Sequence, residues 1–157
     1  MSHSVKVTGF DHTRVYVSDM ERSRRFYEDV LDLQVYAENP RQDSEGIGKI
    51  FGRKGAAVQL TFGLIGGHIV ELIKVLDTEL PRPPKEYVGG SGFTVTVLDL
   101  NAAYQACKDA GVTILTDVLE VKGTKIFFIQ DPDAMRIELI QYNDGHHVVR
   151  PEAISGK

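Results

Sequence analysis

Only one cysteine, Cys107, occurs in the 157-residue chain. An intrachain disulfide framework and a cysteine-rich zinc site are both excluded. No apolar run approaches the roughly 18 residues of a membrane-spanning helix. No long basic run exists either, and the formal net charge is −4. Nucleic-acid binding and docking on an anionic membrane are therefore not expected. No glycine-rich turn between a strand and a helix offers a nucleotide phosphate cradle. The first residues, Met1-Ser2-His3-Ser4-Val5-Lys6, lack the apolar centre of a secretory signal, which by default predicts a cytoplasmic protein. What is present is an ordinary balance of 42% hydrophobic and 25% charged residues. That suits one soluble domain with a real core.

Against this background one pattern stands out. Ile69-Val70-Glu71-Leu72-Ile73 recurs as Arg136-Ile137-Glu138-Leu139-Ile140. A carboxylate between aliphatic neighbours is costly to bury unless something pairs with it. The same anomaly in both halves of the chain points to a shared use, and a bound metal ion is the simplest candidate.

The chain reads as two copies of one module. A strand over 9–17 places Phe10, His12, Arg14 and Tyr16 on one face, with Asp11, Thr13, Val15 and Val17 on the other. Ser18-Asp19 supplies a cap, and Met20, Ser23, Phe26, Tyr27, Val30 and Leu31 follow at helical spacing. A short strand over 33–37 comes next. The polar stretch 38–55, with Pro40 and four glycines, reads as a loop with room for one helical turn. Strands over 57–62 and 68–75 flank a hairpin at 63–67. The proline-rich segment 77–90 reads as a linker.

The second module repeats the order. It has a strand over 92–97, an Asp99-capped helix ended by Gly111, and strands over 113–115, 120–129 and 135–142. Turns fall at 122–124 and 131–133. An offset of 80 carries Val15, Val17, Asp19 and Met20 onto Val95, Val97, Asp99 and Leu100. An offset of 67 carries Val70, Glu71, Leu72 and Ile73 onto Ile137, Glu138, Leu139 and Ile140. The chain is thus read as a single domain, with module one over 7–76, a linker over 77–90, module two over 91–142 and a polar tail over 143–157. The fold class is α+β, built from paired βαβββ modules, because one such module is too small to bury both faces of its sheet.

The run Asp11-His12-Thr13-Arg14-Val15-Tyr16-Val17-Ser18-Asp19, followed by Arg25-Phe26-Tyr27-Glu28-Asp29-Val30-Leu31, resembles the opening of vicinal-oxygen-chelate proteins. Asp131-Pro132-Asp133-Ala134-Met135-Arg136-Ile137-Glu138-Leu139 resembles their closing motif. That superfamily includes glyoxalase I, methylmalonyl-CoA epimerase, extradiol dioxygenases and the fosfomycin and bleomycin resistance proteins. The resemblance implies paired modules whose mixed sheets curl around a cavity. It does not select one reaction, since the superfamily hosts several.

The resemblance further implies that metal ligands come from the first and last strands of each module. His12, Glu71 and Glu138 match three of the four positions; the fourth falls on Gly92, which has no ligand atom. One imidazole and two carboxylates suit a divalent ion such as Zn, Ni, Co, Mn or Fe. Such an ion polarises substrate oxygens and acidifies an adjacent C–H, and Glu71 or Glu138 is the candidate base. The competing reading makes His12 structural and pairs the glutamates with Arg14 or Arg136.

Other residues are placed around these. Arg14, Tyr16 and Thr94 share the inward faces, and Ser91 adjoins the vacant ligand position. These four are candidate substrate-binding residues, although Arg14 could equally neutralise Glu71 or Glu138. His68 is expected on the opposite face from Glu71. His146 and His147 fall in the polar tail, and His3 in a start read as disordered. Arg41, Lys49, Arg53 and Lys54 could close over an acidic ligand, but solvated surface charge is the preferred reading. No reactive environment is seen for Cys107.

Glutathione-dependent glyoxalase I is disfavoured, because such relatives often carry an arginine where this chain has Tyr16. Gly92 argues against extradiol dioxygenase and fosfomycin-resistance chemistry. The expectation is a glyoxalase-like, metal-dependent lyase, isomerase or epimerase acting on a small carbonyl-bearing compound, as a homodimer. The alternative is a metal-free drug-binding protein of the bleomycin-resistance type, in which Phe10, Tyr16 and Phe62 would stack on a planar ligand.

Overall fold

The computed structural model describes residues 5, 8–82, 92–121 and 123–143. The chain forms two compact units, residues 1–80 and 81–157. Both are mixed α+β, and each sheet pairs its first strand in parallel with its last. Among the described residues, no helix is long and apolar enough to cross a membrane.

The first unit runs β1 (His12–Tyr16), α1 (Met20–Leu31), β2 (Gln34–Gln42), α2 (Glu45–Ile50), β3 (Val58–Ile65) and β4 (His68–Val75). Its sheet has the order β1-β4-β3-β2. The Asp19 carboxylate accepts the Arg22 amide and starts α1,. The left-handed Asp32, with φ 55°, ends it,. Met20, Ser23, Tyr27 and Leu31 are the buried stripe of this helix. They lie over the sheet face that carries Val15, Thr61, Val70 and Leu72, and the Thr61 hydroxyl reaches the Met20 sulfur.

The other face of this sheet carries Glu71, Ile73 and Val75. There α2 covers one end: Ile47 packs with Ala56, Val58, Ile73 and Val75, flanked by Phe51 and Leu60. The rest of that face, toward β1 and the start of β4, is the region of the candidate site.

Three expectations for this unit change. The first strand begins at His12 rather than residue 9. The second extends to Gln42 rather than stopping at 37; Pro40 is tolerated because β2 is an edge strand, where a missing N–H leaves no ladder bond broken,. The hairpin loop is shorter than expected. Residues 63–65 belong to β3, and only Gly66 and Gly67, with φ 55° and 82°, make the turn. Two successive positive φ values are what a tight type I′ hairpin demands, and glycine supplies them without strain.

The second unit runs β5 (Phe93–Thr96), α3 (Leu100–Asp109), β6 (Thr113–Ile114), β7 (Leu119–Val121), β8 (Thr124–Gln130) and β9 (Arg136–Tyr142). Its sheet has the order β5-β9-β8-β6, with β7 paired to β8. The Asp99 carboxylate caps α3 through the Ala102 amide,. Leu100 and Cys107 from α3, with Phe127, Ile129, Ile137 and Leu139 from the sheet, are buried. Burial raises the Cys107 thiol pKa, which leaves it inert,.

The offsets read from the sequence hold at the level of hydrogen-bonded register. Arg14 pairs with Glu71 across β1 and β4, and Thr94 pairs with Glu138 across β5 and β9. A second correspondence was not anticipated: Phe62 faces Glu71 across β3 and β4, and Phe128 faces Glu138 across β8 and β9. Each unit therefore presents the same glutamate–phenylalanine cross-strand pair.

Candidate functional site

In the first unit, strand alternation puts His12, Arg14 and Tyr16 on the face that bears Glu71,. Glu71 is 8% exposed. Its Oε2 lies 3.2 Å from His12 Nε2. The other ring nitrogen of His12, Nδ1, lies 2.6 Å from the Asp11 carboxylate. An ionised carboxylate only accepts, so each ring nitrogen of His12 faces an acceptor, Nδ1 toward Asp11 and Nε2 toward Glu71,. The ring edge of His12 also meets Phe62, with centroids 6.5 Å apart and planes at 78°.

The pair has the chemistry of two neighbouring donors on one divalent ion. With ligand bonds of about 2.0–2.2 Å, adjacent donors stand roughly 3 Å apart, as these two do. An acceptor behind the imidazole is the usual companion of a ligating histidine. His12 and Glu71 therefore fit a metal, with Asp11 holding the ring.

In the second unit, Glu138 is half-buried and its Oε2 accepts the Thr94 hydroxyl at 2.9 Å. Arg136 sits over the Phe128 ring at 5.0 Å from its centroid. Ser91 lies outside the described residues, as do His3, His146 and His147. Among the described residues, no group of three or more His, Cys, Asp or Glu side chains is gathered as a metal cluster. The structure thus brings together His12 with Glu71, and Thr94 with Glu138.

Gly92 has a backbone reason to be glycine. A β-carbon there would stand 2.5 Å from the Arg136 carbonyl oxygen on the neighbouring strand. No side chain of any kind fits that position without moving β5 away from β9.

Among the described residues Arg14 makes no direct ion pair with Glu71. The carboxylate it faces in register is engaged by His12, and Arg14 is exposed. Tyr16 meets Phe51 edge-on, with centroids 6.4 Å apart. Arg53 lies over Phe51 and forks onto both oxygens of Asp77. This tether fixes the α2 segment against the end of β4. Three of the four basic residues in the segment 38–55 are held by carboxylates: Arg41 by Asp43, Lys49 by Glu45 and Arg53 by Asp77.

Two aromatic residues of this face were missed in the sequence. Tyr36 lies 6.4 Å from Phe62, with planes inclined at 37°, and Phe51 abuts Tyr16. Tyr36 sits where the β2–β3 register slips between Val35 and Ala37, so alternation alone could not assign its face. Phe10, expected beside His12, lies outside β1 and stacks on His68 at 5.3 Å. His68 bonds Thr13, on the face opposite Glu71, as its spacing predicted.

Residues 9–139 match the family model described as the Glyoxalase/Bleomycin resistance protein/Dioxygenase superfamily. A probable lactoylglutathione lyase of Vibrio parahaemolyticus is 30% identical over 139 residues, covering 83% of this chain and 88% of that protein. A lactoylglutathione lyase of Haemophilus influenzae is 28% identical, covering 83% and 90%. Among solved structures, a glyoxalase family protein from Bacillus cereus superposes with a TM-score of 0.77 at 17% identity, covering 90% of this chain and 99% of that one. A fosfomycin resistance protein from Listeria monocytogenes does so with a TM-score of 0.62 at 14% identity, covering 87% and 94%. The duplicated units, their shared register and this match over most of the sequence agree, and the chain belongs to the glyoxalase/bleomycin resistance/dioxygenase superfamily.

Proposed function

We propose that this protein is a metal-dependent lyase, isomerase or epimerase of the glyoxalase type, acting on a small carbonyl-bearing compound in the cytoplasm as a homodimer. The observation that carries the reading is the His12–Glu71 pair: a nearly buried carboxylate 3.2 Å from an imidazole whose far nitrogen is already bound. His12, Glu71 and Glu138 are the residues that would hold a divalent ion, which when bound would polarise a substrate carbonyl.

The remaining roles fall to the chain's own groups. Asp11 holds His12 at Nδ1 and leaves Nε2 facing Glu71. Glu138, more accessible than Glu71 and oriented by the Thr94 hydroxyl, is the better candidate to take a proton from carbon next to the carbonyl. Glu71 is the alternative base. Arg14, Tyr16, Thr94 and Ser91 are proposed to bind substrate.

The Vibrio and Haemophilus relatives are named as a probable lactoylglutathione lyase and a lactoylglutathione lyase. Tyr16 and Gly92 depart from the pattern expected of that enzyme.

A second reading, a metal-free protein that sequesters planar compounds, draws on the exposed Tyr36 beside Phe62. Metal analysis separates the two. Purified protein loaded in turn with Zn, Ni, Co, Mn and Fe should retain one of them at a stoichiometric level. His12→Ala and Glu138→Ala should each lower that content. Metal uptake untouched by both substitutions would overturn the proposal.

A further inference from the structure

We infer that the open sheet face of the first unit selects a compact, flat acid: an aromatic or conjugated compound bearing a carboxylate, with Arg14 taking the carboxylate and Phe62 and Tyr36 the flat body. The inference rests on the reading of the His12–Glu71 face as the substrate site and adds a substrate class to it.

The first support is the state of Arg14. Every other arginine of this unit's elements and loops is engaged: Arg22 by Ser18, Arg24 by Glu28 and Glu38, Arg25 by Glu21, Arg41 by Asp43 and Arg53 by Asp77. Arg14 has no carboxylate partner among the described residues. The one carboxylate opposite it in register, Glu71, is held by His12. A guanidinium on the same face as a nearly buried glutamate, yet not paired with it, is left to an external anion. Its planar fork matches a carboxylate well.

The second support is the row of residues that Arg14 begins. Arg14, Glu71, Phe62 and Ala37 pair in succession across β1, β4, β3 and β2. At about 4.8 Å between strands, the backbones of Arg14 and Phe62 are roughly 10 Å apart. Phe62 and the adjoining Tyr36, which is 57% exposed, offer ring surface at the far end of that row. A flat molecule lying along it would touch rings at one end and the guanidinium at the other. Its central oxygens would then pass beside His12 and Glu71. The anionic end must lie toward Arg14, because Glu71 repels it elsewhere in the row.

The third support is the closed end of the face. Tyr16 is the next inward residue after Arg14, and it abuts Phe51 of the segment that Arg53 and Asp77 tie down. The surface alongside the row, past Arg14 in the direction of β1, is therefore occupied by protein. A compact acid fits a row flanked in this way better than an extended peptide conjugate.

The test is calorimetric titration of chelator-treated, metal-free protein with three probes: benzoylformate, its methyl ester, and pyruvate. Benzoylformate should bind at least about 10-fold more tightly than either of the others, a difference near 1.4 kcal/mol. Arg14→Gln, a change at an exposed position, should abolish the preference for acid over ester. Tyr36→Ala should shrink the preference for benzoylformate over pyruvate and leave pyruvate itself unchanged. The inference is overturned if benzoylformate does not bind, if the ester binds as well as the acid, or if Arg14→Gln keeps the acid preference. Because the protein is metal-free in this assay, acid selectivity without metal uptake would sink only the metal reading. Metal uptake without acid selectivity would sink only this one.

Discussion

Gly92 and Arg136 are in backbone contact so close that residue 92 has no room for a β-carbon, which would lie 2.5 Å from the Arg136 carbonyl oxygen. The position where relatives are expected to carry a fourth ligand is thus closed by main-chain geometry. Gly92→His should not tighten binding of any divalent ion. Both it and Gly92→Ala should destabilise the fold by roughly 1–3 kcal/mol, the usual range for overpacking. Urea denaturation beside a metal titration reads both effects. A histidine variant that is stable and binds metal more tightly would refute the steric account.

Asp11 acts through His12. Its carboxylate, 2.6 Å from Nδ1, fixes which nitrogen faces Glu71. Asp11→Ala should weaken metal affinity about 10- to 100-fold, as removal of such supporting acceptors does. Asp11→Asn should retain more of it, because an amide oxygen still accepts from Nδ1–H. Since the Asp11 side chain is 87% exposed, thermal unfolding of the metal-free variants should match the unmodified protein. Equal metal affinity in all three proteins would rule the role out.

Ala134 carries strain that a glycine would relieve. Its φ is 71°, in a turn where Asp131 Oδ1 accepts the amides of Asp133 and Met135. A left-handed non-glycine residue costs of order 1–3 kcal/mol, and glycine's extra freedom in the unfolded chain offsets about 0.5–1 kcal/mol. Ala134→Gly should therefore stabilise the protein by up to roughly 2.5 kcal/mol, seen as a higher denaturation midpoint. A lower midpoint would show that the turn is unstrained.

Asp77 should make stability depend on pH. Burial works against its charge, but the Ala57 amide and the Arg53 guanidinium outweigh that and hold the carboxyl below its ordinary value. A carboxyl lowered by folding stabilises above its unfolded pKa of about 3.9, and the contribution is lost as pH falls through the lower folded value. Asp77→Asn should lower the urea midpoint at neutral pH, and the gap to the unmodified protein should close below about pH 4. A gap that persists unchanged into strong acid would contradict this linkage.

Much of the fold was legible because its signals were local. Asp19 and Asp99 cap the helices as their sequence context predicts. The two acidic strands kept their offsets down to the residues that pair, Arg14 with Glu71 and Thr94 with Glu138. What stayed hidden depends on contacts between segments distant in sequence. Pro40 looked like a strand breaker until β2 proved to be an edge. Tyr36 sits at a register slip, where alternation fails. The restriction at Gly92 comes from a carbonyl on another strand. The neighbour of His12 that matters most, Asp11, would on an ideal strand point the other way. It reaches Nδ1 only because β1 begins at His12 and leaves Asp11 outside the ladder.

The outer border of the first sheet is poorly suited to recruiting further chains. β2 is interrupted by two register slips and includes Pro40, which cannot donate to a neighbouring strand. Irregular, proline-bearing borders of this kind block templated growth into fibrils. If copies of this chain associate strand to strand through this sheet, the short, regular β1 is the receptive side, and self-assembly would stop at a closed pair rather than run on.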